Sequence, residues 1–401
     1  MIKYIFSILI FLIVNCTGPV LKEENKTEAQ KEVNPVKQRF AKREAEALKE
    51  PYRGIYVNSD TLNNLFPIRA TNISTEPIKN AAEAFLNSLT KAQLDKTTYP
   101  IDDQEWRKWS NVDNGIYDRQ GVSLKEMTEA QKKVAFGLMQ NSLSAKGLQL
   151  SKDIMKTDQT LRELNNRSDA FDEELYFFSI MGKPSITEPW GWQLDGHHLI
   201  INYFILGDQI VMSPVFMGAE PVVTTTGKYT GNTLFQDEQN IGLAFMQSLT
   251  AKHQELATIS KSKEKNNNIA SANKDNLTLE YEGFKVSLIS ESQKKDLSNL
   301  IFQYISNMRE GHQQVKMEEV EEHMDNTYFA WVGETTEDAV FYYRIHSPVV
   351  LIEFDHQRVV GVPNVDRKKP SRNHIHTVVR TPNGNDYGKD LLRQHLEKHK
   401  H

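Results

Sequence analysis

The sequence predicts an α+β fold built from two similar halves, each with helices followed by an antiparallel sheet. Apolar residues recur with helical periodicity early in each half, and alternating β-rich segments follow them. The same kinds of segment also return in the same order along the chain. Runs of helices followed by runs of strands indicate α+β rather than an open parallel sheet. We expect the two halves to cover residues 61–235 and 236–401.

Four pairs of segments suggest an internal duplication, with spacings of about 150 to 160 residues. The pairs are 84–90 with 244–250, 128–133 with 290–295, 176–182 with 328–333, and 192–203 with 343–354. The second pair is a Ser/Thr-x-x-Gln capping box that opens an amphipathic helix. Generic similarity between short helices and strands is the alternative explanation. Residues 260–276, rich in Asn, Lys and Ser, are predicted to form a flexible surface loop.

Composition and charge narrow the class of protein. The chain has 401 residues, of which 39 % are hydrophobic and 25 % are charged, as in ordinary globular proteins. A formal net charge of −5 argues against a nucleic-acid partner, because phosphate binding requires a basic stripe. The chain has one cysteine, which excludes an internal disulfide and a thiolate metal cluster. P-loop, dinucleotide, serine-hydrolase and His-Glu-x-x-His motifs are not found in the sequence.

The N-terminus is similar to a bacterial lipoprotein signal. An apolar run over residues 5–14 is too short to span a bilayer but suits a signal peptide. It ends in Ile13-Val14-Asn15-Cys16, which resembles a lipobox, although Asn15 replaces the usual small residue. We therefore expect a signal peptide over 1–15, lipidation of Cys16 and a flexible charged tether over 16–60. The protein would then sit in the cell envelope, anchored by lipid to the periplasmic or surface side of a bacterial membrane. An ordinary signal peptide that contains a cysteine is the alternative.

Two histidine motifs are candidate metal ligands. His374 and His376 share one face of a predicted strand, where two imidazoles side by side can chelate one ion. His197 and His198 precede a second strand, and Glu220 follows a third. We expect a divalent metal, zinc above others, bound by His374, His376 and one of His198 or Glu220, with His197 as a further candidate. At least one of these partners should lie within about 6 Å of the pair. A hydrogen-bonded ladder of polar side chains is the alternative.

Three charged residues are candidate catalytic groups. Arg380 shares the face of the two histidines in the predicted strand, and Arg344 lies in a β-rich segment. Either guanidinium could stabilise an anion beside a metal ion. Asp386 lies in the turn-rich loop that follows Arg380. A structural ion pair is the alternative role for Arg344.

Three separated motifs resemble the DUF 3500 family of uncharacterised bacterial and fungal proteins. They are Pro-Trp-Gly-Trp through Gly-His-His at 189–198, Ser-Pro through Gly-Ala-Glu-Pro at 213–221, and Asn-His-Ile-His-Thr through Asn-Asp-Tyr-Gly at 373–388. The resemblance extends over about residues 76–401 and implies that these motifs belong to one domain. It implies no reaction, substrate or metal.

Three functions stay open at this point. The first is a metal-dependent hydrolase or oxidoreductase acting in the envelope. The second is a non-catalytic lipoprotein that binds a small molecule, a metal or an envelope polymer. The third is a structural surface protein in which the histidines are satisfied polar groups. An enzyme requires His198, His374 and His376 to converge in space.

Overall fold

The structure is a computed structural model and describes residues 34–57, 62, 64–167 and 169–399. The predicted signal peptide and Cys16 lie outside the described residues. Within these described stretches, no helix has both the length and the apolar character needed to cross a membrane.

The described residues form ten α-helices. The predicted capping boxes are confirmed: the Thr128 and Ser290 hydroxyls accept the amides of Gln131 and Gln293, whose side chains accept the cap amides in return. The helices are α1 Pro35–Lys49, α2 Glu76–Ser88, α3 Lys91–Thr97, α4 Glu129–Ser142, α5 Ala145–Asn165, α6 Gln236–Ser248, α7 Ala251–Ala257, α8 Glu291–Ile305, α9 His312–Glu322 and α10 Lys389–Lys398.

Twelve of the fourteen described strands join in one large sheet, so the α+β class is confirmed. The remaining two, β1 and β9, pair with each other in parallel. The strands are β1 Tyr56–Val57, β2 Thr98–Tyr99, β3 Val122–Ser123, β4 Tyr176–Gly182, β5 Trp190–Gly196, β6 Leu199–Leu206, β7 Gln209–Ala219, β8 Thr258–Ser260, β9 Thr278–Leu279, β10 Phe284–Lys285, β11 Tyr328–Gly333, β12 Phe341–His346, β13 Leu351–Arg358 and β14 Pro370–Arg380.

Two antiparallel meanders meet at the centre of this sheet. Strands β4 to β7 form one meander and strands β11 to β14 form the other. The last strand of each meander pairs with that of the other, with His376 opposite Gly218 and Ile375 opposite Ala219. The residues that follow β7 therefore lie beside the start of β14.

The sheet is buried on both of its faces. Every residue of β5 and β6 is buried, although their sequences mix polar and apolar side chains. Five tryptophans, Trp106, Trp109, Trp190, Trp192 and Trp331, are fully buried in the apolar core around it. Each such side chain removes about 150–250 Å² from water, which makes these aromatics large contributors to core packing.

The predicted tether is corrected for residues 34–57, because this stretch contains α1 and binds the folded part. Arg107 donates hydrogen bonds to the carbonyls of Ala47 and Glu50, at 3.0 and 2.9 Å. The Tyr117 hydroxyl donates to the carboxylate of Glu44. No residue of α1 is buried, and these contacts of the helix with the folded part are polar.

The predicted surface loop over 260–276 is also corrected, because part of it is buried against the sheet. The amides of Ile269 and Ala270 each donate to the Glu353 carboxylate at 2.9 Å, and Lys263 pairs with Asp355 at 2.9 Å. Lys263 and Ala270 are both buried. The loop supplies hydrogen-bond and ion-pair partners for carboxylates on β13. A polar composition is equally typical of a loop exposed to solvent, so composition alone could not predict this burial.

Acid should destabilise the protein partly through His346. Burial, followed by the charge of Arg344, lowers the pKa of His346 to about 3, whereas an unfolded histidine titrates near pH 6.5. The unfolded chain therefore takes up a proton below pH 6.5 that the folded chain does not. The contribution of neutral His346 to the free energy of unfolding is fully present above about pH 6.5 and is lost as the pH falls toward 3. Between pH 7 and pH 5 the free energy of unfolding should fall by about 2 kcal/mol more in the wild type than in His346→Phe.

Denaturant unfolding of both proteins at the two pH values measures this difference. A chelator in every sample keeps bound metal from contributing. An identical pH dependence in wild type and variant would contradict the assignment.

Candidate metal centre

The side chains of His198, His374 and His376 converge on one point. The Nε2 atoms of His374 and His376 are 2.8 Å apart, and they lie 3.2 and 3.1 Å from the Nε2 atom of His198. All three residues are buried, and His376 is the most exposed at 9 %. Among the residues that the structure describes, these are the ones that form a His, Cys, Asp or Glu group able to hold a metal ion. The predicted approach of a third partner to the His374/His376 pair is confirmed.

Strand pairing brings these three histidines together. Alternation along β14 places His374 and His376 on one face, as predicted. His198 lies in the two-residue turn between β5 and β6, in the left-handed region with φ at 60°. Its carbonyl accepts the amide of Gly218 at 2.8 Å, and Gly218 is the residue opposite His376. The central strand β7 thus connects the turn to β14.

Gly218 also provides the space for the cluster. A Cβ atom at this position would lie 2.8 Å from the carbonyl oxygen of Ile375 and 3.0 Å from Cδ2 of His376. A glycine inside a β-rich run is a known sign of close approach by another group. This signal was present in the sequence but was not interpreted there as part of the site.

Glu220 contacts His374 at Nδ1, the nitrogen that faces away from the other two histidines. This corrects its prediction as a direct ligand. The Nδ1 atom of His374 lies 2.7 Å from the carbonyl oxygen of Arg358 and 3.1 Å from Oε2 of Glu220. A proton on Nδ1 is therefore donated to these oxygens, and Nε2 is left with its lone pair toward the other histidines. Such an outer partner orients a ligating histidine and raises its basicity.

The Glu220 carboxylate is itself held by backbone amides. Val360, Gly361 and Val362 donate to its Oε1 atom at 3.0, 2.5 and 2.7 Å. These three bonds orient Glu220 toward the far nitrogen of His374. The carboxylate is buried and leaves one negative charge beside the histidine cluster.

His197 is likewise not part of the triad, in contrast to its prediction as a candidate ligand. Its Nδ1 atom lies 2.5 Å from Oδ1 of Asp158. Its ring stacks on that of His198, with ring centroids 3.9 Å apart and an interplanar angle of 25°. Asp158 lies on α5 and was missed by the sequence reasoning, since nothing in the helical pattern distinguishes it from a surface acid.

Burial keeps the three converging imidazoles neutral. It lowers the pKa of His198 and of His376 well below the ordinary value, and the charges of neighbouring histidines lower both further. The pKa of His374 is also lowered by burial, against the opposing effect of the Glu220 carboxylate. Neutral imidazole is the form that binds metal ions.

The spacing of the nitrogens matches one face of a tetrahedral site. Nitrogens at about 2.0–2.1 Å from a zinc ion in tetrahedral geometry lie about 3.3 Å from one another. The observed distances of 3.1 and 3.2 Å are close to this value, and the third, 2.8 Å between His374 and His376, is about 0.5 Å shorter. The group can therefore coordinate one ion through three nitrogens and leave a fourth position.

The predicted catalytic residues are in ion pairs, which is the alternative that the sequence left open for Arg344. Arg380 contacts Asp386 through Nε at 2.7 Å and Asp275 through Nη2 at 2.8 Å. Arg344 pairs with Glu282. Asp386 also accepts the amide of Thr381 at 2.7 Å. Arg380 and Asp386 are buried in a paired network, and their charges are already balanced by protein groups.

Comparison with known proteins identifies the family. The model of a family described as a protein of unknown function, DUF3500, matches residues 71–389. Neither the curated proteins nor the solved structures searched contain a match to the chain. The matched range includes His198, His374, His376 and Glu220. It covers well over half of the 401 residues. The chain therefore belongs to the DUF3500 family.

Proposed function

We propose that this protein binds a divalent metal ion in the cell envelope, zinc in preference to others, through His198, His374 and His376. The observation that carries the proposal is the convergence of three neutral Nε2 atoms within 2.8–3.2 Å of one another. Three lone pairs that face one another in a buried space repel, and a proton on one nitrogen can bridge only one pair, whereas a metal ion can bind all three. The nearby Glu220 carboxylate would offset part of the ion's charge.

A metal ion with three protein ligands supports catalysis better than a structural role. Structural zinc sites have four protein ligands, whereas catalytic sites have three and keep a position for water. A divalent ion held there would lower the pKa of its bound water to about 7, which is the basis of metal-dependent hydrolysis. We therefore favour a hydrolase, and an oxidoreductase if the native metal is redox-active.

A second candidate is a non-catalytic lipoprotein that binds a small molecule or an envelope polymer. The burial of all three histidines favours a non-catalytic role over a hydrolase, since His198 and His374 are 2 and 3 % exposed and leave a substrate little access to the ion. Metal would then stabilise the junction of the two meanders rather than act on a substrate.

Metal content tests the proposed site. Protein purified without an affinity tag should contain about one equivalent of metal, or take it up from zinc-containing buffer, by mass spectrometry of the metal. His374→Ala/His376→Ala should reduce the content at least 10-fold, because one nitrogen cannot hold the ion.

His346→Phe is the matched control, since it removes a buried histidine outside the triad and should leave the metal in place. Circular dichroism checks that each variant is folded. Wild-type protein that takes up no zinc, cobalt, nickel, manganese, iron or copper would contradict the site, as would full retention in the double variant.

We also propose that the protein is tethered to a bacterial membrane through a lipid on Cys16. The short apolar run over 5–14, the presence of one cysteine and the polar segment after it support this proposal. The described part of the chain begins at residue 34, so a segment of fewer than twenty residues would link the lipid to α1.

Labelling in a bacterial host tests the lipid anchor. The full chain should incorporate a clickable fatty acid and fractionate with membranes. Cys16→Ala should lose the label, because no other thiol is present. Cys16→Ser is a closer control for side-chain size, and labelling that persists in either variant would refute the anchor.

We further propose that the two halves arose by duplication. In both, two helices and a short strand are followed by a further short strand, a capped helix, another helix and a four-stranded meander, and the second half contains β9 in addition. The short strands β2 and β8 pair in parallel with β4 and β11, the first strands of the two meanders.

Superposition in an experimentally determined structure tests the duplication. Moving residues 76–235 onto residues 237–401 should place α2 on α6, α4 on α8 and β5 on β12. The meanders should be related by a rotation near 180° about an axis between β7 and β14. Helices that pack on different parts of the two meanders would show that the shared order is coincidental.

A further inference from the structure

The ring of His198 lacks the polar support that orients His374. Its Nδ1 atom is buried and has no hydrogen-bond partner among the described residues. Its backbone is held by the Gly218 amide and by the carbonyl of Asn111, at 2.8 and 3.3 Å. These bonds fix the Cα position but not the rotation of the imidazole. Some other contact has to direct Nε2 of His198 toward the other two histidines.

That contact is the ring of His197. The two rings are nearly parallel, with centroids 3.9 Å apart, and Phe171 packs on His197 with a centroid distance of 5.5 Å. The stacked His197 ring blocks rotation of the His198 ring on one side. The stacked ring can restrict the rotation of His198 only if the side chain of His197 is itself held in place.

His197 is fixed by a buried hydrogen-bond chain. Its Nδ1 atom contacts Asp158 at 2.5 Å, and the other carboxylate oxygen accepts the Tyr176 hydroxyl at 2.9 Å. The Tyr176 oxygen also lies 3.1 Å from the carbonyl oxygen of His197. Asp158 and Tyr176 have no exposed surface, and His197 is 6 % exposed. The chain extends from α5 through the hairpin turn to the proposed metal ligand.

We propose that Asp158 and His197 form a positioning pair for the metal site, in which the His197 ring holds the His198 ring in its ligating orientation. This inference rests on the proposed metal-binding function and assigns a role to two residues that do not contact the ion. Outer-shell partners of this kind change metal affinity by about 10- to 100-fold when removed.

The test compares two substitutions of His197. His197→Ala removes the ring, whereas His197→Phe keeps an aromatic ring and removes the bond to Asp158. Zinc affinity is measured by competition with a chromophoric chelator, and ligand geometry by the visible absorption of bound cobalt(II). His197→Ala should weaken zinc binding about 10- to 100-fold and alter the cobalt spectrum. His197→Phe should lie between the wild type and His197→Ala in affinity and in spectrum, because it keeps the stacked ring but loses the bond that fixes it.

Asp158 provides an independent variant in case His197→Ala does not fold. Asp158→Asn keeps the size of the side chain and weakens the bond that fixes His197, so zinc affinity should fall. In the His197→Phe background the same change should have no further effect on affinity, because the bond is already absent. An equal effect of Asp158→Asn in both backgrounds would overturn the pairing.

The remaining outcomes separate this inference from the proposed function. Wild-type protein that binds no metal overturns both. Metal binding by wild type with unchanged affinity and spectrum in His197→Ala overturns the positioning role alone. A third outcome is that His197→Phe loses metal as completely as His197→Ala and that its cobalt spectrum indicates one nitrogen ligand fewer. His197 would then be a ligand, and the inference would be wrong.

Discussion

The pairing of β7 with β14 is the constraint on which the rest of the site depends. Its register sets Gly218 opposite His376 and therefore places Glu220, two residues further along, next to His374. The same register positions the β5–β6 turn, because the amide of Gly218 donates a hydrogen bond to the carbonyl of His198 in that turn. A register shift of one residue would turn His374 and His376 to the other face of the sheet. Apolar residues that alternate with them, such as Ile375, would then occupy the positions of the histidines and leave their own place in the core. Burial of these apolar side chains therefore stabilises the register that assembles the site.

Burial of so many polar groups in the sheet requires partners from distant segments. Glu220 and Glu353 both accept backbone amides, from residues 360–362 and from residues 269–270. A buried carboxylate left without such partners would cost several kcal/mol. The connecting segments therefore have defined conformations, and the loop that holds Glu220 is coupled through it to His374.

The sequence allowed the local features to be predicted, and the three-dimensional partners only in part. Alternation placed His374 and His376 on one face, and the capping boxes at Thr128 and Ser290 located two helices. The convergence with His198 depends on the pairing of β7 with β14, which no pattern of residues in the sequence specifies. The roles of His197 and Glu220 could not be predicted, because they depend on Asp158 and on the amides of residues 360–362, which are distant in sequence. Hydrogen bonds to backbone amides leave no pattern of residue types.

The charge balance of the buried network distinguishes the histidine cluster from its surroundings. Arg380 is matched by two carboxylates, and Asp275 is also bound by Arg107 at 2.9 Å. Each of these charges has a protein partner of opposite sign. The three Nε2 atoms, in contrast, contact one another, and any one proton among them can serve only one pair at a time. Proton binding is disfavoured there, as the lowered pKa values of His198 and His376 indicate. A divalent cation satisfies all three lone pairs together, which a proton or a single hydrogen bond cannot do.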